Sequence, residues 1–204
     1  ARSDGAGARV VHEGEVLELG LRVQGRHMVA NTVAALAVSQ LVGAGGKAAI
    51  EALAAFGAPE GRGETVRLGP ADKPLLLVDE SYNANVASMQ AAMEVYRDQR
   101  PAGGAKVLVL GDMLELGPQG QALHAALRDR VLETGATRIF LIGPAMAALA
   151  AVLAEAPGVS HNERIEEAME SILASLAYGD AVMVKGSKGV RLAGLVQAIR
   201  DRFS

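Results

Sequence analysis

The chain has 204 residues, 50% of them hydrophobic, with a net charge of −3 and no cysteine. That allows one large domain or two small ones with a sizeable core. It excludes disulfides, thiolate nucleophiles and cysteine-ligated zinc, and argues against a nucleic-acid surface, which needs clustered Lys and Arg.

Residues 9–23 alternate in places, and His12-Glu13-Gly14-Glu15 can turn a hairpin between two short strands. Gly25-Arg26-His27 opens an Ala-rich stretch, Met28 to Val42, that suits a helix packed close to other backbone. Gly43 to Gly46 stops it, and Lys47 to Phe56 reads as a second helix. Thr65 to Leu68 and Leu75 to Val78 are expected strands around a turn at Gly69-Pro70, and Val86 to Gln99 an expected helix. Arg100-Pro101-Ala102-Gly103-Gly104 reads as a linker, dividing the chain into 1–101 and 102–204. Beyond it come a strand, Lys106 to Leu110, and a helix, Gln119 to Thr134. A strand, Arg138 to Ile142, and a helix, Pro144 to Glu155, follow. Glu163 to Ala177 is an expected helix, Ala181 to Val184 a strand and Val190 to Phe203 a helix. Strands alternating with helices indicate an α/β fold with a mostly parallel, doubly wound sheet.

The longest apolar run, residues 145–154, is too short to span a bilayer, so no membrane partner is expected. The first seven residues hold no apolar signal core. The absence of cysteine fits a cytoplasmic protein. A first residue other than Met is consistent with a piece of something longer.

The segment Leu75-Leu-Leu-Val-Asp79-Glu80-Ser81-Tyr82-Asn83-Ala84-Asn85 carries the most chemistry. Its apolar half has the length of a strand buried on both faces. Two carboxylates at its end are costly unless they have partners, solvent or ligand, and this is the edge where open α/β sheets bind ligands. Asp79 and Glu80 can accept ribose hydroxyls; a helix cap or a loop acid is the plain alternative. Asn31 interrupts the Ala-rich helix and can pair with an adenine edge or with a neighbouring loop. Arg62, in Glu60-Gly-Arg-Gly-Glu64, can reach a phosphate or lie in an ordinary surface loop.

Gly111-Asp112-Met113-Leu114-Glu115-Leu116-Gly117 occupies a ligand-binding βα turn but lacks the dinucleotide Gly-x-Gly-x-x-Gly spacing. Val184-Lys185-Gly186-Ser187-Lys188-Gly189 offers lysines, a hydroxyl and backbone N–H groups to an anion, or is a plain loop. No phosphate loop of the form Gly-x-x-x-x-Gly-Lys-Ser/Thr is present. Gly43-Ala-Gly-Gly-Lys47-Ala48 comes closest, but Ala48 cannot ligate magnesium. No metal cluster and no Gly-x-Ser-x-Gly elbow are found.

Together Gly25-Arg26-His27-x-Val29-x-Asn31, Gly61-Arg62, Asp79 to Asn85, Gly111 to Gly117 and Val184-Lys-Gly-Ser187 resemble the Mur ligase family. The Ser-Tyr-Asn-Ala-Asn and Gly-Asp-Met-x-Glu-Leu-Gly segments resemble the branch that adds D-alanyl-D-alanine. The resemblance implies the distal part of a central ATP-binding domain over 1–101 and a Rossmann-like C-terminal ligase domain over 102–204. It implies an ATP-dependent peptide ligase of peptidoglycan precursor synthesis. A UDP-N-acetylmuramoyl-tripeptide would be activated as an acyl phosphate and then attacked by the dipeptide amine.

By this likeness Asn31, Arg62, Asp79 and Glu80 would contact ATP. Ser81, Asn83, Asn85, Asp112, Glu115, Lys185 and Ser187 would face the substrates. Met28 and Glu80 depart from the family, which usually has Asn and Asp there, so adenine recognition would rest more on Asn31. ATP and Mg2+ would serve the complete enzyme, whose phosphate loop and catalytic residues would lie in N-terminal domains outside this chain. None is expected to bind tightly to these 204 residues, which are expected to be inactive alone. The alternatives are another Mur-type or folylpolyglutamate-type ligase, or a non-catalytic α/β ligand-binding module.

Overall fold

The computed structural model describes residues 6–12, 15–21, 26–57 and 59–204. They form two compact units, divided between Pro59 and Glu60. In the first, strands β1 (Ala6–His12) and β2 (Glu15–Leu21) pair antiparallel, with His12 opposite Glu15. Residues 13 and 14 of the expected hairpin turn lie outside the described residues. Helices α1 (Arg26–Leu41) and α2 (Lys47–Ala55) follow. Gly43 between them takes φ 73°, the left-handed region that favours glycine, so the glycine-rich segment is a helix stop.

The second unit is a six-stranded sheet. In chain order its elements are β3 (Glu64–Leu68), β4 (Leu75–Glu80), α3 (Val86–Arg97), β5 (Lys106–Gly111), α4 (Gly120–Ala125), α5 (Arg128–Glu133) and β6 (Arg138–Ile142). Then come α6 (Ala147–Val152), β7 (Val159–Asn162), α7 (Ile165–Ser175), β8 (Ala181–Lys185) and α8 (Ala193–Phe203). The strand order is β3-β4-β8-β5-β6-β7, and only the edge strand β3 runs antiparallel to its neighbour.

Period-2 alternation explains why both faces are covered. Leu76, Val78, Leu108, Leu110 and Met183 point to one face and pack with Met89, Met93, Val131 and Leu149 of α3, α5 and α6. Leu75, Leu77, Val107, Val109, Val182 and Val184 point to the other and pack with Ile165, Ile172, Leu195 and Ile199 of α7 and α8. The sheet is therefore doubly wound, as expected from the sequence.

Three expectations differ from the structure. The helix expected over 119–134 is two short helices, α4 and α5, separated at Ala126 and Leu127. Strand β7 was not anticipated, because Val159-Ser-His-Asn162 has one apolar residue and no alternation to read. The expected linker at 100–104 lies inside one sheet, between α3 and β5. It is pinned there: Gly104 N–H donates to Gly179 O at 3.0 Å, and Ala105 N–H to Asp180 Oδ1 at 2.7 Å. A Cβ at Gly104 would fall 2.3 Å from that same Asp180 Oδ1, so the glycine marks close approach instead of a flexible joint. Residues 60–101 thus share a sheet with 102–204.

Candidate functional site

Strands β4, β8, β5 and β6 are parallel, so their carboxyl ends share one edge. From β4 the chain moves outward through β5, β6 and β7 and then returns to β8, which lies between β4 and β5. Ligands in open α/β sheets bind where the winding reverses in this way. The segments 80–85, 111–117 and 185–189 all leave strands at this edge.

β4 continues two residues past Val78, so Asp79 and Glu80 are its last members. Asp79 is only 1% exposed. Its Oδ1 accepts from Ser81 N–H at 3.0 Å and from the Ser81 hydroxyl at 2.6 Å, which satisfies a carboxylate too costly to bury alone. The Glu80 side chain keeps 17% of its exposure, and its Oε2 lies 3.4 Å from Lys185 Nζ. Lys185 is almost fully buried and also donates to Asn83 O at 3.0 Å. Burial pulls the Lys185 ammonium below the usual lysine range, and Glu80 opposes that shift. Both acids are therefore engaged internally, and Glu80 is the one that reaches the surface.

The next residues also hold the turn together. Asn83 Oδ1 accepts from Ala84 N–H at 2.8 Å. Asn85 caps α3: its Oδ1 accepts from Ser88 N–H at 2.8 Å, and Ser88 Oγ accepts from Asn85 N–H at 3.0 Å. On β5's loop Asp112 is 3% exposed, and its two oxygens accept from Met146 N–H at 2.8 Å and Ala145 N–H at 3.2 Å. It thereby caps the helical turn that leads into α6. His124 was not singled out in the sequence. It is fully buried, accepts from Met113 N–H through Nε2 at 2.9 Å and faces Gly120 O through Nδ1 at 2.7 Å. Those two partners require the Nδ1–H tautomer. Its only sequence signal was an imidazole within an otherwise ordinary helix.

Ser187 joins the three loops. Its Oγ accepts from Leu114 N–H at 2.9 Å and donates to Ala84 O at 3.4 Å, while its own N–H donates to Asp112 O at 3.0 Å. Glu115 is exposed and takes φ 64°, a left-handed conformation that few non-glycine residues adopt. Such strain concentrates at functional positions.

Tyr82 is 43% exposed. Arg62 Cζ sits 4.1 Å from its ring centroid and Lys188 Nζ 5.7 Å. The sequence reading gave Tyr82 no role, because adjacency of Arg62, Tyr82 and Lys188 is made only by the sheet. Asn31 lies on α1 in the first unit with its side chain exposed. Among the described residues, no group of three or more His, Asp or Glu could hold a metal ion, and no helix is long and apolar enough to cross a membrane.

Of the side chains named from sequence, Lys185 is buried against Glu80 and Asn83 O and Asn31 lies in the first unit; the others fall into two sets. Asp79, Ser81, Asn85, Asp112 and Ser187 spend their polar atoms on the loops themselves. Arg62, Asn83, Glu115 and part of Glu80 present theirs to the open edge.

Comparison with known proteins gives this edge a context. The UDP-N-acetylmuramoyl-tripeptide–D-alanyl-D-alanine ligase of Escherichia coli is 35% identical over 184 residues, covering 89% of this chain and 38% of that protein. The Bacillus subtilis protein of the same name is 28% identical over 182 residues, covering 86% of this chain and 38% of its own length. This chain therefore spans about two fifths of the length of these relatives. MurF from Acinetobacter baumannii superposes with a TM-score of 0.80 at 25% identity, over 97% of this chain and 42% of that one. The fold is shared more widely: UDP-N-acetylmuramate-alanine ligase MurC from Thermotoga maritima superposes at TM-score 0.68 and 16% identity, covering 91% and 40% of the two chains. The family model described as Mur ligase, glutamate ligase domain matches residues 61–188, most of the second unit and the candidate edge as far as Lys188. The chain belongs to the Mur ligase family.

Proposed function

We propose that this chain is part of an ATP-dependent ligase that joins D-alanyl-D-alanine to a UDP-N-acetylmuramoyl-tripeptide in peptidoglycan precursor synthesis, in the cytoplasm. One observation carries the reading. The Ser187 hydroxyl binds both Leu114 N–H and Ala84 O, so the two segments that resemble the dipeptide-adding branch meet the Val184-Lys-Gly-Ser187 segment on one surface. Relatives bearing that activity in their names cover 89% and 86% of this chain.

The residues present fit a share of the work. Glu80, with its carboxylate at the surface, is the ribose acceptor of the pair. Asp79 fixes the turn that aims it. Asn31 offers an amide to adenine and Arg62 a guanidinium to the nucleotide. Lys185, buried beside Glu80, is a positive charge held at the edge where an acyl phosphate and the phosphate leaving it would carry negative charge. Glu115 and Asn83 face the incoming dipeptide, with Asp112 and Ser187 holding their loops. The chemistry proceeds by transfer of a phosphoryl group to the tripeptide carboxylate, attack of the dipeptide amine on that activated carbonyl, and departure of phosphate.

The phosphate cradle and magnesium ligands do not fit these 204 residues, which hold no phosphate loop and, where described, no metal cluster. In this proposal they belong to domains of the same protein beyond the given residues, and the 204-residue chain alone does not ligate. The test is an amine screen on a protein spanning the full length of the relatives. D-Alanyl-D-alanine should be accepted, and glutamate and diaminopimelate refused. Preference for either of the latter would move the protein to another branch, and ligation by the 204-residue chain alone would overturn the division of labour.

A further inference from the structure

We infer that His124 is a positioning residue: its imidazole locks the loop after β5 so that Glu115 stands at the open edge to meet the ammonium end of an incoming amine substrate. That the substrate is the dipeptide rests on the proposed function. Three successive peptide N–H groups of this loop are held by three different elements. Asp112 N–H donates to Ile142 O at the end of β6 at 3.0 Å, Met113 N–H to His124 Nε2 on α4 at 2.9 Å, and Leu114 N–H to Ser187 Oγ after β8 at 2.9 Å. The next residue, Glu115, takes φ 64°. A non-glycine residue stays in that region where its surroundings over-determine it, and these three bonds do so.

His124 has no competing task. It is fully buried, and its Nδ1–H donates to Gly120 O at 2.7 Å within its own helix. Asp112 Oδ1 is 3.9 Å from Nε2, too far to accept from it, and that oxygen already accepts from Met146 N–H at 2.8 Å. An Nε2–H would face Met113 N–H with a second donor and no acceptor. The loop therefore requires the neutral Nδ1–H tautomer.

Glu115 is what the lock presents. It is exposed, and among the described residues it takes part in no ion pair. Lys188 on the neighbouring turn lies 5.7 Å from the Tyr82 ring centroid and makes no ion pair with it. A carboxylate without a cation, on a backbone fixed before binding, suits an ammonium group.

The test begins on the 204-residue chain, whose four histidines are resolved by long-range proton–nitrogen NMR. His124→Gln removes, and so assigns, the His124 signals. Nε2 should be a bare acceptor and Nδ1 protonated; an Nε2–H ring or a charged ring overturns the inference. Glutamine carries an acceptor near the place of Nε2, whereas asparagine keeps only a group near Nδ1. The Met113 amide should exchange at least about fivefold faster in His124→Asn, from loss of one hydrogen bond, and within about twofold of wild type in His124→Gln. In a protein spanning the full length of the relatives, His124→Asn should raise the KM for D-alanyl-D-alanine about fivefold or more and leave the KM for ATP within about twofold. His124→Gln should restore the dipeptide value. In a Glu115→Ala background His124→Asn should add less than about twofold, because the residue it acts through is gone. An unchanged Met113 amide, an equal rise in the KM for ATP, no rescue by glutamine, or full additivity with Glu115→Ala overturns the inference. The two readings fail separately. Ligation of the dipeptide with its KM unmoved by His124→Asn removes only this inference. Ligation of glutamate or diaminopimelate instead removes only the proposed function, and the KM of that amine is then the one His124→Asn should raise.

Discussion

Lys185 Nζ lies 3.4 Å from Glu80 Oε2, tying the end of β8 to the end of β4, where the two residues are register partners. The ammonium is buried, so its folded pKa lies below the ordinary lysine value, burial being the main cause. The unfolded chain then holds a proton that the folded chain has released in the window between the lowered value and the ordinary one. Stability from this group should therefore rise with pH across that window. Denaturant unfolding between pH 7 and 10.5 should show this slope in the wild type and not in Lys185→Met. Glu80→Gln removes the partner that opposes the shift, so it should steepen the slope and lower stability at pH 7 by about 1–3 kcal/mol. Equal pH slopes in wild type and Lys185→Met would contradict this account.

Asp112 should be measured as a structural cap. Asp112→Ala leaves the Ala145 and Met146 N–H groups without their carboxylate acceptor. It should cost about 1–3 kcal/mol in urea unfolding. Gly143→Ala should destabilise as well, since its Cβ would fall 2.3 Å from Asp112 Cγ at φ 121°. If Asp112→Ala keeps full stability but full-length enzyme loses turnover, Asp112 belongs to the substrate and not to the scaffold.

Ser187→Ala cuts the bond to Leu114 N–H and the one to Ala84 O. The Leu114 amide should exchange with solvent at least about fivefold faster, from loss of roughly 1 kcal/mol of local protection. Amides in the centre of β5 should be unchanged. Uniform acceleration across the sheet would mean that Ser187 supports global stability and not the loop junction.

Tyr96 is fully buried, with its hydroxyl accepting from Val107 N–H at 3.1 Å and facing Ala181 O at 2.6 Å. Burial drives its pKa far above the ordinary tyrosine value. Tyr96→Phe strands those strand-edge groups, and thermal or urea unfolding should show a loss of about 1–3 kcal/mol. The wild-type phenol should show no ultraviolet ionisation signal from this residue until the protein unfolds in alkali.

Much of the fold was legible because burial on two faces leaves an unmistakable mark. Leu75 to Val78, Val107 to Leu110 and Ala181 to Val184 are apolar runs too short for helices, and each lies in a central strand. Edge strand β7, covered less, carried no such mark. The boundary expected after Pro101 misread glycines that permit close packing against Asp180 as glycines of a flexible joint. At the site, residue choice announced polar groups at a strand end, but not how they would be spent. Asp79 and Ser81 are two residues apart and bond each other, a local pairing visible in retrospect. The Asp112 contact with Met146 and the meeting of Arg62, Tyr82 and Lys188 depend on strand order, which sequence alone does not specify.

The most direct measurement is ADP release by a protein spanning the full length of the relatives, supplied with ATP, UDP-N-acetylmuramoyl-tripeptide and D-alanyl-D-alanine, with product mass read in parallel. ADP should form in proportion to product, and the product should be the tripeptide substrate extended by one D-alanyl-D-alanine through an amide. Glu80→Gln should raise the apparent KM for ATP by about tenfold, the loss of one charge-assisted bond. ADP release that ignores the dipeptide, or a product extended by a different amine, would contradict the account.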